Sequence, residues 1–330
     1  MTRVAAVDLG TNTTRLLVAD VEEGHLREVA RRLQITRLGE GVDSTRRLSP
    51  RAMARTGRAL AEFRRLADEL GVERALAVAT SAVRDAEHGS AFLTQVEQDY
   101  GFPTLLLSGN EEAYLTFQGV AFGRAIEPST LVVDIGGGST ELILGGPQGI
   151  SFHRSIDLGS VRMTERYLAS DPPSPQEIAR LAEEARSLLP PLRPRAAIGV
   201  AGTVTSLAAL DLGLVEYDPE RVHGHILTAA SVDAQLKRLA AMPLALRRRV
   251  PGLQPQRADV IVAGAVILRE ILRRYGLAAI EASERDILDG VALLAAARLP
   301  RERGWAPPGL RPALGTRPDG ASTRAGPTPA

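Results

Sequence analysis

Two stretches of the chain share an unusual order of apolar and polar positions. Each has an apolar run that ends at an aspartate, then a glycine and small polar residues, then a second apolar run. The first reads V-D-L-G-T-N-T-T-R-L-L-V-A-D, residues 7–20, and the second reads L-V-V-D-I-G-G-G-S-T-E-L-I-L, residues 131–144. Short apolar runs bounded by turn residues are typical of strands. We therefore predict two hairpins, each with an acid at the end of its first strand.

Strand and helix patterns alternate along the rest of the chain. Further strand patterns lie at residues 27–33, 75–80, 104–107 and 196–200. Helical patterns lie at residues 50–70, 91–100, 175–189, 201–210, 232–242, 257–275 and 286–299, and another helix opens at S-G-N-E-E-A from residue 108. The first of these helices has Ser49 in position for an N-cap, Pro50 at its first position and Gly71 just beyond its end. This alternation predicts an α/β protein.

The length of 330 residues exceeds what one hydrophobic core usually supports, which predicts two domains. The hairpins lie near the start of each half, and I-E-P-S at residues 126–129 resembles a junction. We predict lobes at residues 1–127 and 128–300. The tail at 301–330 is rich in Pro and Gly without an apolar period, so we predict that it is disordered.

Charge and cysteine content exclude several classes of function. The formal net charge is +1, which gives no sign of a nucleic acid or membrane partner. There is no cysteine, so disulfides, thiol nucleophiles and cysteine–zinc sites are excluded. No apolar run approaches the roughly 18–20 residues that cross a bilayer, and the chain opens directly into a strand pattern. We expect a cytoplasmic protein.

The repeated turn has the composition of a phosphate site. Glycines at positive φ would let neighbouring backbone N–H groups converge on one point, which suits phosphate oxygens. We expect this of Gly10 and of Gly136–Gly138. Hydroxyl groups would add donors at Thr11, Thr13, Ser139 and Thr140.

The aspartates of the two hairpins need a different explanation, because carboxylates repel phosphate. Asp8 and Asp134 suit the site if a hard cation such as Mg²⁺ lies between carboxylate and phosphate, with water completing its ligands. The alternative is a pair of ordinary hairpins, in which Asp and Gly only serve the turn. Three consecutive glycines, flanking hydroxyls and a second copy favour the phosphate site.

Several motifs, taken in order, resemble a known family. They are A-V-D-L-G-T-N-T, A-T-S-A-V-R-D-A, L-S-G-N-E-E-A, V-V-D-I-G-G-G-S-T-E-L, S-I-D-L-G-S-V-R, G-V-A-G-T-V-T-S-L and R-D-I-L-D-G-V. From about residue 3 to 299 the chain resembles the exopolyphosphatase/guanosine pentaphosphate phosphatase (Ppx/GppA) family in its short two-domain form. The resemblance implies two actin-like (ribonuclease H-like) lobes, with a phosphate-binding cleft between them.

The resemblance also implies roles for individual residues. Glu112 matches the catalytic carboxylate that orients and deprotonates water. Glu141 and Asp134 match cleft carboxylates tied to the metal and to the reacting phosphate, and Asp8 matches the metal-associated acid of the first hairpin. Arg84 matches a phosphate-binding arginine. The remaining phosphate-binding positions are Gly10, Thr11, Asn12, Thr13, Gly136, Gly137, Gly138, Ser139 and Thr140.

Some assignments stay open at this stage. Glu112 lies near a predicted helix N-terminus, which would lower its pKa, whereas a buried cleft and Asp134 would raise it. Asp157 and Arg162 match a cleft motif, but an ordinary turn explains them as well.

The expected function is phosphoanhydride hydrolysis that depends on Mg²⁺, or on Mn²⁺ in its place. The substrate would be inorganic polyphosphate, guanosine pentaphosphate (pppGpp) or both. The alternatives are a non-catalytic sensor of polyphosphate or guanosine tetra- and pentaphosphate, and an ATP-dependent kinase of the same superfamily. Two-lobed members of the family often pair, which implies a homodimer.

Overall fold

The computed structural model describes residues 1–22 and 25–297, so the predicted tail at 301–330 lies outside the described residues. The strands are β1 (Thr2–Leu9), β2 (Thr14–Glu22), β3 (His25–Gln34), β4 (Arg74–Ala79), β5 (Thr104–Leu106), β6 (Thr130–Ile135), β7 (Thr140–Gly146), β8 (Gly149–Ile156), β9 (Ala196–Val200), β10 (Ile226–Thr228) and β11 (Ala279–Ala282).

The helices occupy most of the remaining length. They are α1 (Val42–Thr45), α2 (Pro50–Glu69), α3 (Ser81–Asp85), α4 (Gly89–Tyr100), α5 (Gly109–Ala121), α6 (Ser160–Tyr167), α7 (Pro175–Leu188), α8 (Ala201–Asp211), α9 (Pro219–Val222), α10 (Ala229–Ala240), α11 (Leu244–Arg247), α12 (Ile261–Tyr275) and α13 (Ile287–Ala296). A 3₁₀ turn, Pro255–Arg257, precedes α12. No helix in the described ranges is both long and apolar enough to cross a bilayer.

Two mixed sheets repeat one topology. The first has the order β3-β2-β1-β4-β5 and the second the order β10-β11-β9-β6-β7-β8. In each sheet three consecutive strands form an antiparallel meander, and the next strand in the chain joins parallel to the first of them. Both predicted hairpins are present, as β1–β2 and β6–β7. Because opposite residues of a ladder share a face, Asp8 faces the same side as Arg15, and Asp134 the same side as Glu141.

Local signals set several boundaries as predicted. Ser49 accepts a hydrogen bond from the N–H of Ala52 and caps α2, which has Pro50 at its first position. Ser108 caps α5 in the same way. Strand β8 was not predicted, because it lies at a sheet edge and its side chains are mostly exposed or half-buried. Helix α12 begins at Ile261 rather than at 257, because the preceding residues form the 3₁₀ turn.

Each sheet is covered by a helix from the opposite half of the sequence. Helix α13 packs Leu288 and Val291 into a core with Val4 and Leu17 of the first sheet. Helix α5 packs side chains such as Phe117 into a core with residues of β6, β7 and β9. The two helices also touch each other, since a Cβ on Gly290 of α13 would lie 2.0 Å from the carbonyl oxygen of Leu115 on α5. The lobe boundary at 127/128 stays a prediction, and the helices that cover each sheet come from both sides of it.

Candidate functional site

The tips of the two hairpins have the same internal hydrogen bond. Gly10 N–H donates to the carbonyl of Thr13 at 3.0 Å, and Gly136 N–H donates to the carbonyl of Ser139 at 3.0 Å. The sequences G-T-N-T and G-G-G-S thus fold into one geometry, although only the first glycine is common to both. The duplication visible in the sequence is therefore a duplication of backbone structure.

Both tips direct backbone carbonyls away from the cleft and leave N–H groups free. The carbonyls of Thr11 and Asn12 accept from the loop that follows β3, at 2.8 and 2.9 Å. The carbonyls of Gly136 and Gly137 accept from the first N–H groups of α6, at 2.8–3.1 Å. No backbone carbonyl among residues 1–22 and 25–297 accepts from the N–H groups of Thr11, Asn12, Gly137 or Gly138. Such free donors are available to an anion.

The expected reason for the glycines was wrong. Gly10 and Gly136–Gly138 are absent from the positive-φ residues of the described chain. The second tip needs glycine because the tips touch: a Cβ on Gly137 would lie 2.9 Å from Cβ of Thr11, and one on Gly138 would lie 2.6 Å from Oγ of Ser81. The glycines therefore allow the tips of the two hairpins to come into contact.

Asp8 lies at the base of the cleft, beside Arg15. Arg15 donates to Asp8 Oδ2 from Nε at 3.0 Å and from Nη2 at 2.7 Å, and its Nη1 pairs with Asp286 at the start of α13. The other oxygen of Asp8, Oδ1, is buried and has no hydrogen-bond partner in the described structure. One acceptor therefore remains for a ligand.

Glu141 is held by two hydroxyl groups. Ser139 Oγ donates to its Oε1 at 2.8 Å, and Ser155 Oγ donates to the same oxygen at 2.7 Å. Asp134 lies opposite Glu141 in the β6–β7 ladder, and Ser155 lies opposite it in the β7–β8 ladder. The three residues form a row across the sheet at the cleft.

Glu112 projects into the cleft from the first turn of α5. Its neighbour Glu111 completes a capping box with Ser108, so the two adjacent acids have different tasks. Arg84 Nη1 lies 3.1 Å from Glu112 Oε2 and 2.7 Å from the carbonyl of Leu107. Arg84 thus pairs with Glu112 rather than lining the cleft wall, and its role as a phosphate ligand stays a prediction.

The carboxylates of the cleft share one electrostatic environment. Burial raises the pKa of Glu112 well above its ordinary value, and the charge of Glu141 adds to this effect. Burial also raises the pKa of Asp8, Asp134 and Glu141, and the hydroxyls of Ser155 and Ser139 oppose the rise at Glu141. At Glu112 burial and the charges of Glu141 and Asp134 outweigh Arg84, so its pKa is raised, in the direction expected of a buried cleft.

A divalent cation would relieve this crowding of negative charge. Within residues 1–22 and 25–297 no three His, Cys, Asp or Glu side chains are grouped to ligate a metal directly. Mg²⁺ commonly keeps several waters and binds through one or two carboxylates plus substrate phosphates. The unpaired Oδ1 of Asp8, with Asp134 and Glu141 in the same cleft, fits that mode of binding.

Most of the predicted phosphate-binding residues line the cleft, and two of those in the second hairpin do not. The cleft wall includes Gly10, Thr11, Asn12, Thr13, Gly136, Gly137 and Ser139, together with the acids Asp8, Glu112, Asp134 and Glu141. Gly138 packs against Ser81 at the contact between the tips, and the hydroxyl of Thr140 donates to the carbonyl of Leu158. The role of each residue in binding stays a prediction.

Sequence reasoning missed Arg257, which also lines the cleft. Its Nε donates to Gln254 Oε1 at 2.9 Å, and it forms no ion pair with a carboxylate in the described ranges. Burial lowers its pKa to about 10, so it remains charged at neutral pH. A Cβ on Gly202 would lie 1.6 Å from its Nη1, so this glycine makes room for it. The glycine of A-G-T was the available signal, but nothing near Arg257 in the sequence indicates its place.

Neither Asp157 nor Arg162 of the S-I-D-L-G-S-V-R motif is among the described residues that line the cleft. Asp157 is exposed, at 77% of its side chain. Arg162 is buried on α6, donates from Nε to the carbonyl of Gly138 at 2.7 Å, and pairs with Asp43 and Asp85 of the first lobe. Arg162 therefore links the tip of the second hairpin, through the carbonyl of Gly138, to two aspartates of the first lobe.

Comparisons with known proteins agree with this geometry. The model of the Ppx/GppA phosphatase family matches residues 17–298. Exopolyphosphatase 2 of Mycobacterium tuberculosis is 40% identical over 315 residues, covering 89% of this chain and 98% of the relative. A Ppx/GppA enzyme of Aquifex aeolicus has a TM-score of 0.76 at 32% identity, covering 89% of this chain and 99% of that one. An exopolyphosphatase of Cytophaga hutchinsonii has a TM-score of 0.81 at 26% identity, covering 88% and 96%. The predicted fold of two actin-like lobes is confirmed.

Proposed function

The chain belongs to the Ppx/GppA phosphatase family, as its motifs indicated, and from this premise we propose a Mg²⁺-dependent phosphoanhydride hydrolase. Its substrate is inorganic polyphosphate, pppGpp or both, from which it releases the terminal phosphate. One observation carries the proposal: two buried carboxylates, Glu112 and Glu141, share a cleft with two turns whose backbone N–H groups are free. Exopolyphosphatase 2 of M. tuberculosis is named for activity on polyphosphate, and this chain covers 98% of that relative.

The two turns bind the terminal phosphoryl group. Their free N–H groups supply donors to the phosphate oxygens, and the hydroxyl of Thr11 adds another when Ser81 donates to it. Arg257 adds a positive charge without a competing carboxylate partner among the described residues. Because the transition state of phosphoryl transfer spreads charge over three oxygens, such fixed donors stabilise it directly.

Glu112 acts on the attacking water. Its raised pKa makes it a stronger base than an ordinary carboxylate once it is ionised. The water oxygen forms a bond to phosphorus as the bridging P–O bond breaks, and the proton goes to Glu112. The products are orthophosphate and a substrate that is shorter by one phosphate. Arg84 holds the Glu112 side chain at 3.1 Å and so orients it.

Asp8 and Asp134, with Glu141, would hold Mg²⁺. When bound, the ion neutralises charge on the reacting phosphate. Glu141 stays oriented toward the cleft because both serine hydroxyls donate to one of its oxygens. Replacement by Mn²⁺, a cytoplasmic location and a homodimer stay predictions.

Phosphate release from short and long polyphosphate and from pppGpp with Mg²⁺ tests the proposal. We expect turnover by the wild type and a loss of about 10²–10⁴-fold in Glu112→Gln, the usual contribution of a general base. Glu111→Gln is the matched control, because a glutamine still completes the capping box.

Each other outcome has a definite meaning. Undiminished release by Glu112→Gln would overturn the role of Glu112. Tight binding without turnover by the wild type would instead indicate the sensor, and transfer of phosphate to an acceptor would indicate the kinase.

A further inference from the structure

Ser155 lies where strand β8, Glu141 and the start of helix α5 meet, and the proposed reaction assigns it no role. It is near the end of β8, an edge strand of the second sheet. Its Oγ donates to Glu141 Oε1 at 2.7 Å. The row Asp134, Glu141, Ser155 runs across three adjacent strands, so all three side chains are on one face of the sheet.

That same face receives the first turn of α5. A Cβ on Gly109, the first residue of the helix, would lie 2.7 Å from Cβ of Ser155, so the serine side chain rests directly against the helix backbone. Two residues away on β8, His153 Nε2 lies 2.8 Å from Oδ1 of Asn110. Glu112 follows in the same turn of α5. The position of Glu112 relative to the sheet therefore depends on how β8 meets Gly109 and Asn110.

We propose that Ser155 is a positioning residue for both cleft glutamates: its hydroxyl fixes Glu141, and its contact with Gly109 sets the distance of the Glu112 turn from the sheet. This inference rests on the proposed function, in which both glutamates act on one phosphate. Ser139 also donates to Glu141, but it belongs to the tip of the second hairpin and forms no hydrogen bond with α5 among the described residues. Of the two serines that donate to Glu141, only Ser155 also lies against α5.

The geometry explains why both residues of the contact are small. A residue with a Cβ at position 109 would separate the helix from the strand, and a serine at 155 brings a donor to Glu141 with a single side-chain oxygen. A displacement of about 1 Å in a catalytic group can reduce the rate by about a hundredfold. We therefore expect the contact to affect kcat more than substrate binding.

The test compares Ser155→Ala with Ser151→Ala. Ser151 is on the same strand, is exposed, and donates to the carbonyl of Leu144 instead of to a cleft side chain. We expect Ser155→Ala to lower kcat on polyphosphate by about tenfold to a hundredfold with KM changed less than about twofold. Ser151→Ala should leave both unchanged. Equal effects of the two substitutions would overturn the proposal.

A double-mutant cycle separates positioning from a general structural effect. In a Glu141→Ala background, Ser155→Ala should lower kcat much less than in the wild type, because the acceptor of its hydroxyl is gone. Effects that multiply would show that Ser155 acts independently of Glu141. Gly109→Ala should lower kcat although alanine favours helices more than glycine does, and an unchanged kcat would remove the helix contact from the proposal.

If the wild type hydrolyses neither substrate, the proposed function fails, and the contact is judged by thermal unfolding of the wild type, the two single variants and the double variant of the cycle. Ser155→Ala should then lower Tm by about 2 °C or more when Glu141 is present and by less in Glu141→Ala. Equal shifts in both backgrounds would overturn the inference on its own.

Discussion

Arg15 donates hydrogen bonds to only one of the two carboxylate oxygens of Asp8. Two of its nitrogens donate to Oδ2, at 3.0 and 2.7 Å, while Oδ1 is buried and unpaired in the described structure. The pair is fixed by the ladder, in which Asp8 and Arg15 lie opposite each other across the first hairpin. Arg15 therefore neutralises part of the charge of Asp8 without using the oxygen that a hydrated cation needs.

Asp8→Asn should weaken metal-dependent activity. The substitution keeps the shape of the side chain but removes its charge, so we expect phosphate release to fall by about 10–100-fold and to need more Mg²⁺. A titration of activity against Mg²⁺ measures both effects. Asp20→Asn is the control: Asp20 is also a buried strand aspartate, but both of its oxygens pair with arginines, Arg3 and Arg27. A normal Mg²⁺ titration in Asp8→Asn would contradict the metal role.

Arg257→Gln should raise KM more than it lowers kcat. The guanidinium forms no ion pair with a carboxylate in the described ranges, and burial lowers its pKa only to about 10, so its charge is available to a substrate phosphate. A hydrogen bond to a charged group contributes about 1.5–3 kcal/mol, which corresponds to about a 10–100-fold rise in KM. Steady-state kinetics on polyphosphate and pppGpp measure it. Arg273→Gln, an exposed residue that pairs with Asp233, should leave KM unchanged. Equal KM values in the two variants would exclude Arg257 from binding.

The hairpins could be predicted because their signal is local. An apolar run, an acid and a glycine turn follow one another in both copies, and the family motifs repeat that order. The predicted reason for the glycines, a positive φ, was wrong. Gly138 is needed because it lies against Ser81, and this contact depends on a distant part of the chain rather than on the turn itself. Contacts between distant segments leave no period in the sequence.

The same limit explains the residues that were missed. Arg257 reaches the cleft through the tertiary fold, and its partner Gln254 is in a turn without apolar spacing. Ser155 is on an edge strand whose alternation is weak. Asp286 reaches Arg15 because α13 crosses to the first sheet, a topology that no local pattern reports.

The contact between α5 and α13 leaves no room for an added side-chain atom at two glycines. A Cβ on Gly119 would lie 1.8 Å from the carbonyl oxygen of Asp286, and one on Gly290 would lie 2.0 Å from that of Leu115. We expect Gly290→Ala to lower the free energy of unfolding by about 1–3 kcal/mol, because α5 and α13 must separate. Chemical denaturation measures the loss. Gly57→Ala on α2 is the control, since its new Cβ meets the hydroxyl end of the Tyr100 side chain rather than backbone. A smaller loss in Gly290→Ala than in Gly57→Ala would contradict this packing.

Asp289 should make the protein less stable as pH rises through about 6. Burial in the first turn of α13 raises its pKa to about 6, although Arg31 opposes the rise and Asp286 adds to it, with Arg285 a weaker opposing charge. Between about pH 4 and 6 the folded carboxyl still binds its proton while the unfolded one has released it. The free energy of unfolding therefore falls across this window, by up to about 3 kcal/mol at this group.

Asp289→Asn should remove this dependence, because the amide does not titrate. Relative to the wild type, the variant should become more stable on going from pH 4.5 to pH 7.5, by about 1–3 kcal/mol in chemical denaturation. The neutral amide can still accept from the N–H of Asp286, which the carboxylate contacts at 3.2 Å, so the helix cap should survive the change. A difference between variant and wild type that is the same at both pH values would show that Asp289 is ionised throughout, with Arg31 at 3.5 Å outweighing burial.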